Sequence, residues 1–154
     1  MNELALAVVL CNLLNGGETE MRHTFPNLGD SRAVRIDCET PSHVMEIGLD
    51  GKDDSRDSIH QAVFASILTG KAPIVIMIDQ DGVEGRYEYE MRMVTSRLRV
   101  PYVRCSKDFV LAWAAAAPWR DIGLDKSLDD LPRKAGPRQS TCDLAKAIAA
   151  SAVN

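Results

Sequence analysis

Two carboxylates stand in the stretch RIDCETPSHVMEIGLDGK (35–52), on segments otherwise apolar enough to be buried strands. Asp37 ends Val-Arg-Ile, and Glu46 is flanked by Val44, Met45 and Ile47. Acidic residues are depleted in strands, and a carboxylate turned inward costs free energy unless a partner or a cation meets it. Thr40-Pro41-Ser42 is turn chemistry, so a tight hairpin brings the two acids close together. Two such charges repel unless a cation lies between them. Oxygen-only ligation of that kind suits Mg²⁺ or Mn²⁺, ions that polarise a phosphodiester and activate water. The competing reading places both acids on the solvent face of an exposed hairpin.

The elements that must position these residues follow from pattern. LALAVVLCNLL near the start lacks a preceding Lys or Arg and is too short to span a bilayer, so it is expected to form a first helix ending at Gly16–Gly17. GGETEMRHTFPNLGDS is polar and turn-rich and is expected to be loop. Residues 33–37 and 43–49 are strand-like, 57–69 has helical spacing before Gly70, and APIVIMID (72–79) suits a central strand covered on both faces. A helix over 87–98, a strand over 100–104 and a helix over 108–117 follow, then a short alanine-rich helix over 142–152. The expected order is α-β-β-α-β-α-β-α. It makes an α/β domain over 1–119, followed by a Pro- and charge-rich linker and helix over 120–154.

Among 154 residues, 45% are apolar and 26% charged, an ordinary globular mix. The net charge of −4 argues against tight, sequence-independent DNA binding but not against metal-mediated contact. Cys11, Cys38, Cys105 and Cys142 form no CxxC or Cys/His cluster, so free thiols in a reducing cytoplasm are expected. No membrane segment is expected. The detached alanine-rich tail is a candidate for docking on a partner or on a second copy of the chain as a homodimer.

An acid closing the first hairpin strand, an acid within the return strand, a Gln-bearing helix, then T-G-K-x-P and an apolar strand form an ordered string. That order resembles the PD-(D/E)XK nuclease superfamily, especially its small resolvase-like and RecB-like members, over roughly residues 1–105. The resemblance implies a restriction-endonuclease-like core: a central mixed sheet with a β-hairpin, flanked by helices. It implies a Mg²⁺- or Mn²⁺-dependent nuclease acting on DNA, with Asp37 and Glu46 as metal ligands and Gln61 orienting water or a ligand. The acid that the family's first helix often adds has three candidates, Glu3, Glu18 and Glu20; Glu20 fits best, with a plain surface loop as the alternative. The motif lysine is absent, because Gly48 stands two residues after Glu46. Lys52, in the following loop, is the candidate replacement, and His60 is another source of positive charge.

The remaining polar residues point to less. No catalytic partner for His23 or His43 can be read from the sequence, and it holds no nucleophile elbow or phosphate-binding glycine loop. IDQDG (78–82) is explained as a turn, and Met91, Met93 and Trp113 as core or interface. Two further readings stay open: a catalytically inactive nuclease-fold module for nucleic-acid binding or assembly, and an α/β protein unrelated to nucleases.

Overall fold

The computed structural model describes residues 2–12, 14, 17–27, 29–116 and 142–151. The chain is α/β, a five-stranded mixed sheet flanked by helices. The segment 117–141, which holds most of the expected linker, lies outside the described residues.

The strands are β1 (Glu18–Asn27), β2 (Asp30–Glu39), β3 (His43–Leu49), β4 (Ala72–Asp79) and β5 (Tyr102–Ser106), lying side by side in chain order. β1, β2 and β3 form an antiparallel meander, and β3, β4 and β5 run parallel. Parallel neighbours need crossovers, and two helices supply them. These are α2 (Asp57–Thr69), entered through a 3-10 turn at Asp53–Arg56, and α3 (Arg86–Leu98).

Side-chain alternation sorts the core into two layers. Met45, Ile47, Leu49, Ile74, Ile76 and Ile78 face α1 (Glu3–Asn12), α4 (Lys107–Ala115) and α5 (Leu144–Ser151). Val75 and Met77 face Ala62 of α2 and Met91 of α3, and Val44 and Ile36 meet Ala65. β4, covered on both faces, is fully buried from Ile74 to Asp79. α1 buries Leu6, Ala7, Leu10 and Cys11 along one stripe, the i, i+4 spacing of a core-facing helix. Among the described residues no helix is long and apolar enough to cross a membrane.

Three expectations need correction. The segment read as loop is the ten-residue strand β1. Its polar composition hid an alternation in which Met21, His23 and Phe25 are half-buried while Arg22, Thr24 and Pro26 are exposed. Pro26 is tolerated because β1 is an edge strand. The first helix ends at Asn12 rather than at the glycine pair. The cysteines are not free thiols: Cys11 pairs with Cys38, tying α1 to β2, and Cys105 pairs with Cys142, tying β5 to the segment before α5. Residues 27 and 37 apart in sequence are neighbours in space, which spacing alone does not reveal. The thiols behind the reducing-compartment expectation are therefore paired.

Candidate active site

The registers of β1, β2 and β3 place three acids in one row. Thr19 faces Cys38 and Met21 faces Ile36, so Glu20 falls opposite Asp37; Cys38 faces Met45, so Asp37 falls opposite Glu46. At this row the β1–β2 ladder skips one pair and resumes at Met21–Ile36, while the β2–β3 ladder ends. Neither the 20–37 nor the 37–46 pair is formed, and β2 and β3 pair only at Cys38–Met45 and Glu39–Val44.

The side chain of Asp37 explains the interruption. Thr40 N donates to His43 O at 2.9 Å. Hydrogen-bonded pairs then alternate, so the amide of Ile47 is the one that would donate to the carbonyl of Ile36. It donates instead to Asp37 Oδ2 at 2.9 Å. The carboxylate thus takes the place of a strand carbonyl and wedges β2 away from β3. Ile36 then joins the α2 side of the core, whereas Cys38 joins the α1 side.

Glu20 makes the matching corner in β1 with φ 57, a left-handed conformation uncommon outside glycine. Beyond this corner the hairpin folds over α2. Phe25 meets Phe64 edge-on at 4.9 Å between centroids. His23 Nε2 reaches Glu39 Oε2 at 2.6 Å, although the sheet register pairs Glu39 with Glu18.

Glu46 is 1% exposed, and its Oε1 has no hydrogen-bond partner. Burial, followed by the charge of Asp37 and a side-chain hydrogen bond to it, pushes the Glu46 carboxyl up to about 9. Burial also raises Asp37, against the opposing pull of the Ile47 amide. Without a cation, the pair therefore holds one proton between its two carboxylates near neutral pH. A buried, proton-sharing acid pair with an unsatisfied oxygen matches the donor chemistry of a hard divalent ion, whose charge would replace that proton.

The missing lysine position is filled. A Cβ at Gly48 would lie 3.0 Å from Ser55 Cβ and 3.3 Å from Ser58 Oγ, so the start of α2 occupies that space. Positive charge stands instead on two acids near the row, Glu3 and Glu20. Lys52 Nζ donates to Glu3 Oε2 at 3.1 Å, and Glu3 lies near enough for its charge to raise Asp37. Arg35 donates to Glu20 Oε2 at 2.9 Å, and the charge of Glu20 acts on both Asp37 and Glu46. Both cations are largely exposed.

Gln61 is exposed on α2, whose residues Ser58, Ala62 and Ala65 face the sheet. At 100° per residue it projects from the flank opposite Ile59, the flank nearer β1 and β2. It makes no hydrogen bond to either acid among the described residues. His60 points further round, stacking on Phe64 at 6.2 Å, and does not join the site. His43 is buried beside Ser42, with Ser42 Oγ and His43 Nδ1 2.7 Å apart. It shares the strand face of Met45, opposite Glu46.

The T-G-K motif has a structural use. Gly70 caps α2 with φ 71, and Lys71 bonds Glu39 Oε1 at 2.5 Å and the Thr40 carbonyl at 2.8 Å. Glu39 is buried, which alone would raise its pKa, but Lys71 and His23 together hold it below its usual value.

A second acid group lies at the C-terminal ends of β3 and β4. Asp50, Asp79 and Asp81 bring ligand oxygens within 4.8 Å of one another, a group that could hold a cation. Most of those oxygens already have donors. Asp79 Oδ1 accepts from the amides of Asp81 and Gly82, and Asp79 Oδ2 from Arg104. Asp50 accepts from the amide and side chain of Gln80, and Asp81 Oδ1 from the Val83 amide. Arg104 also contacts the fully buried Glu88 at 3.1 Å. The hydrogen bonds of this cluster thus have a structural account as a strand-end turn, whereas Glu46 Oε1 has no partner.

Sequence reasoning missed Arg35 and the pairing role of Glu3. The signal for Arg35 was its place two residues before Asp37, but without β1 there was no strand to carry its partner Glu20. Comparison with family models, with curated proteins and with solved structures finds no match for this chain.

Proposed function

We propose that the chain is a metal-dependent nuclease of the PD-(D/E)XK kind that hydrolyses DNA phosphodiesters. The observation that carries this reading is the fully buried Glu46, with an unsatisfied oxygen, set against Asp37 where the β2–β3 ladder opens. The order behind the resemblance also persists in space: acids on two adjacent strands, Gln61 on the next helix, then Thr69-Gly70-Lys71 leading into β4. Asp37 and Glu46 would hold Mg²⁺ or Mn²⁺, with Glu20 at the end of the row. Such an ion supplies charge to polarise the phosphodiester and to lower the pKa of water. Asp37 is oriented by the Ile47 amide. Lys52, held at the row through Glu3, would offset charge developing on the phosphate.

The test is cleavage of plasmid, branched and single-stranded DNA with Mn²⁺. Asp37→Asn and Glu46→Gln should abolish both cleavage and the Mn²⁺-induced thermal shift. Lys52→Met should keep the thermal shift and lower the cleavage rate by about 10²-fold. Cleavage that survives the two acid substitutions would overturn the assignment. The closed position 48 favours a second reading, an inactive module with the same site. A wild-type Mn²⁺ shift without any cleavage is the result expected of it.

A further inference from the structure

We infer that the outer face of the bent β1–β2 hairpin holds a phosphate of the DNA backbone between Arg22 and Arg35, beside the acid row. This rests on the nuclease reading of that row.

Residues 21–35 contain three arginines against one acid, Asp30, in a chain whose net charge is −4. The excess of positive charge is therefore local to the arm. Arg22 and Arg35 are direct cross-strand partners, an unfavourable placement of like charges that an anion lying between them would relieve. The fold makes little use of these side chains. All three are exposed, and among the described residues Arg22 and Arg32 have no ion pair or hydrogen bond. Arg35 reaches only Glu20.

The inner face of the same arm is anchored. Met21 and Ile36 pack against the α2 side of the core, Phe25 against Phe64, and His23 against Glu39. A firmly held hairpin whose outer face sets Arg22 against Arg35 is preorganised for an anion rather than for its own stability. Guanidinium is also the cation best shaped for bidentate phosphate contact. Arg32 stands on the opposite face, as the cross-strand partner of Phe25, and takes no part in this pair. Arg35 adjoins the acid row through Glu20, so a backbone followed along the arm arrives beside Asp37 and Glu46. Two contacts are few, consistent with weak, salt-sensitive binding by an acidic chain.

The experiment is fluorescence anisotropy on labelled duplex DNA, single-stranded DNA and RNA of equal length, in EDTA so that nothing is cut, across a salt series. Polyglutamate is added as a competitor. Arg22→Gln/Arg35→Gln should weaken DNA binding at least tenfold at low salt. It should also make the slope of log K against log salt shallower by about 2, with an unchanged melting temperature. Asp37→Asn should bind at least as well as wild type. A double variant that binds like wild type, or a wild type that binds no nucleic acid, overturns the proposal. So does a wild type whose arm binds polyglutamate in preference to DNA, and RNA binding without DNA binding overturns the choice of DNA. Loss of binding in the double variant, together with a wild type that cuts no DNA in Mn²⁺, would keep the arm and refute the nuclease reading.

Discussion

Glu46→Gln should stabilise the metal-free protein at alkaline pH, although it removes the central residue of the site. The folded protein raises the Glu46 carboxyl from 4.5 to about 9, chiefly through burial and then through the charge of Asp37. An acid raised in this way favours folding fully below its unfolded pKa. That contribution is lost as pH climbs from about 4.5 through about 9, because the unfolded chain releases a proton that the folded chain keeps. Between about pH 5 and about pH 8 the loss is on the order of 4 kcal/mol for this one group. Gln has nearly the same shape, can donate to Asp37 and cannot ionise, so its stability curve lacks this slope. The gap between variant and wild type should therefore widen by roughly 10 °C in melting temperature over that range. Mn²⁺ should close the gap at the alkaline end by stabilising only the wild type, since the ion binds the ionised pair and expels its proton. Thermal melts of both proteins at several pH values, with and without Mn²⁺, measure this directly. Parallel curves for the two proteins would refute the proton-sharing pair, and with it the physical basis of the metal site.

Two further outcomes follow from packing. Gly48→Ala should cost about 1 to 3 kcal/mol in urea unfolding, because its Cβ meets Ser55 and Ser58; a cost near zero would mean the position is open to a lysine. Opening the Cys11–Cys38 bond, as in Cys11→Ser/Cys38→Ser, should cost about 3 to 4 kcal/mol for its 27-residue separation. It should also weaken the Mn²⁺ response, since Cys38 adjoins Asp37 and the bond ties α1, which carries Glu3, to β2.

The elements written in a single period were legible from sequence: α2 and β4 have the expected bounds, and α3 differs by one residue. β1 was not, because a two-sided edge strand with polar residues outside and a proline near its end has the composition of a loop. The acids themselves were visible because carboxylates in apolar strands need an account. Their third member was not, since the row exists only once β1 is placed against β2. The disulfides were equally hidden, because they join residues that only the three-dimensional fold brings together.

What decides between an enzyme and a binding module is where the positive charge of the site comes from. In-strand spacing points to position 48, and that position is closed by the start of α2. The same packing carries the chain through Lys52, which turns back to Glu3, whose charge reaches Asp37, while Arg35 meets Glu20 at the end of the row. Both pairs are exposed, and exposed ion pairs contribute only about 0 to 1 kcal/mol. A phosphate arriving at the row can therefore take either cation from its carboxylate at little cost. Glu20 and Glu3 would then be released beside Asp37 and Glu46, where a divalent ion makes additional negative charge favourable. The absence of a lysine at 48 thus removes one fixed cation and leaves two exchangeable ones. On the nuclease reading, catalytic competence turns on Lys52 and Arg35 rather than on Gly48.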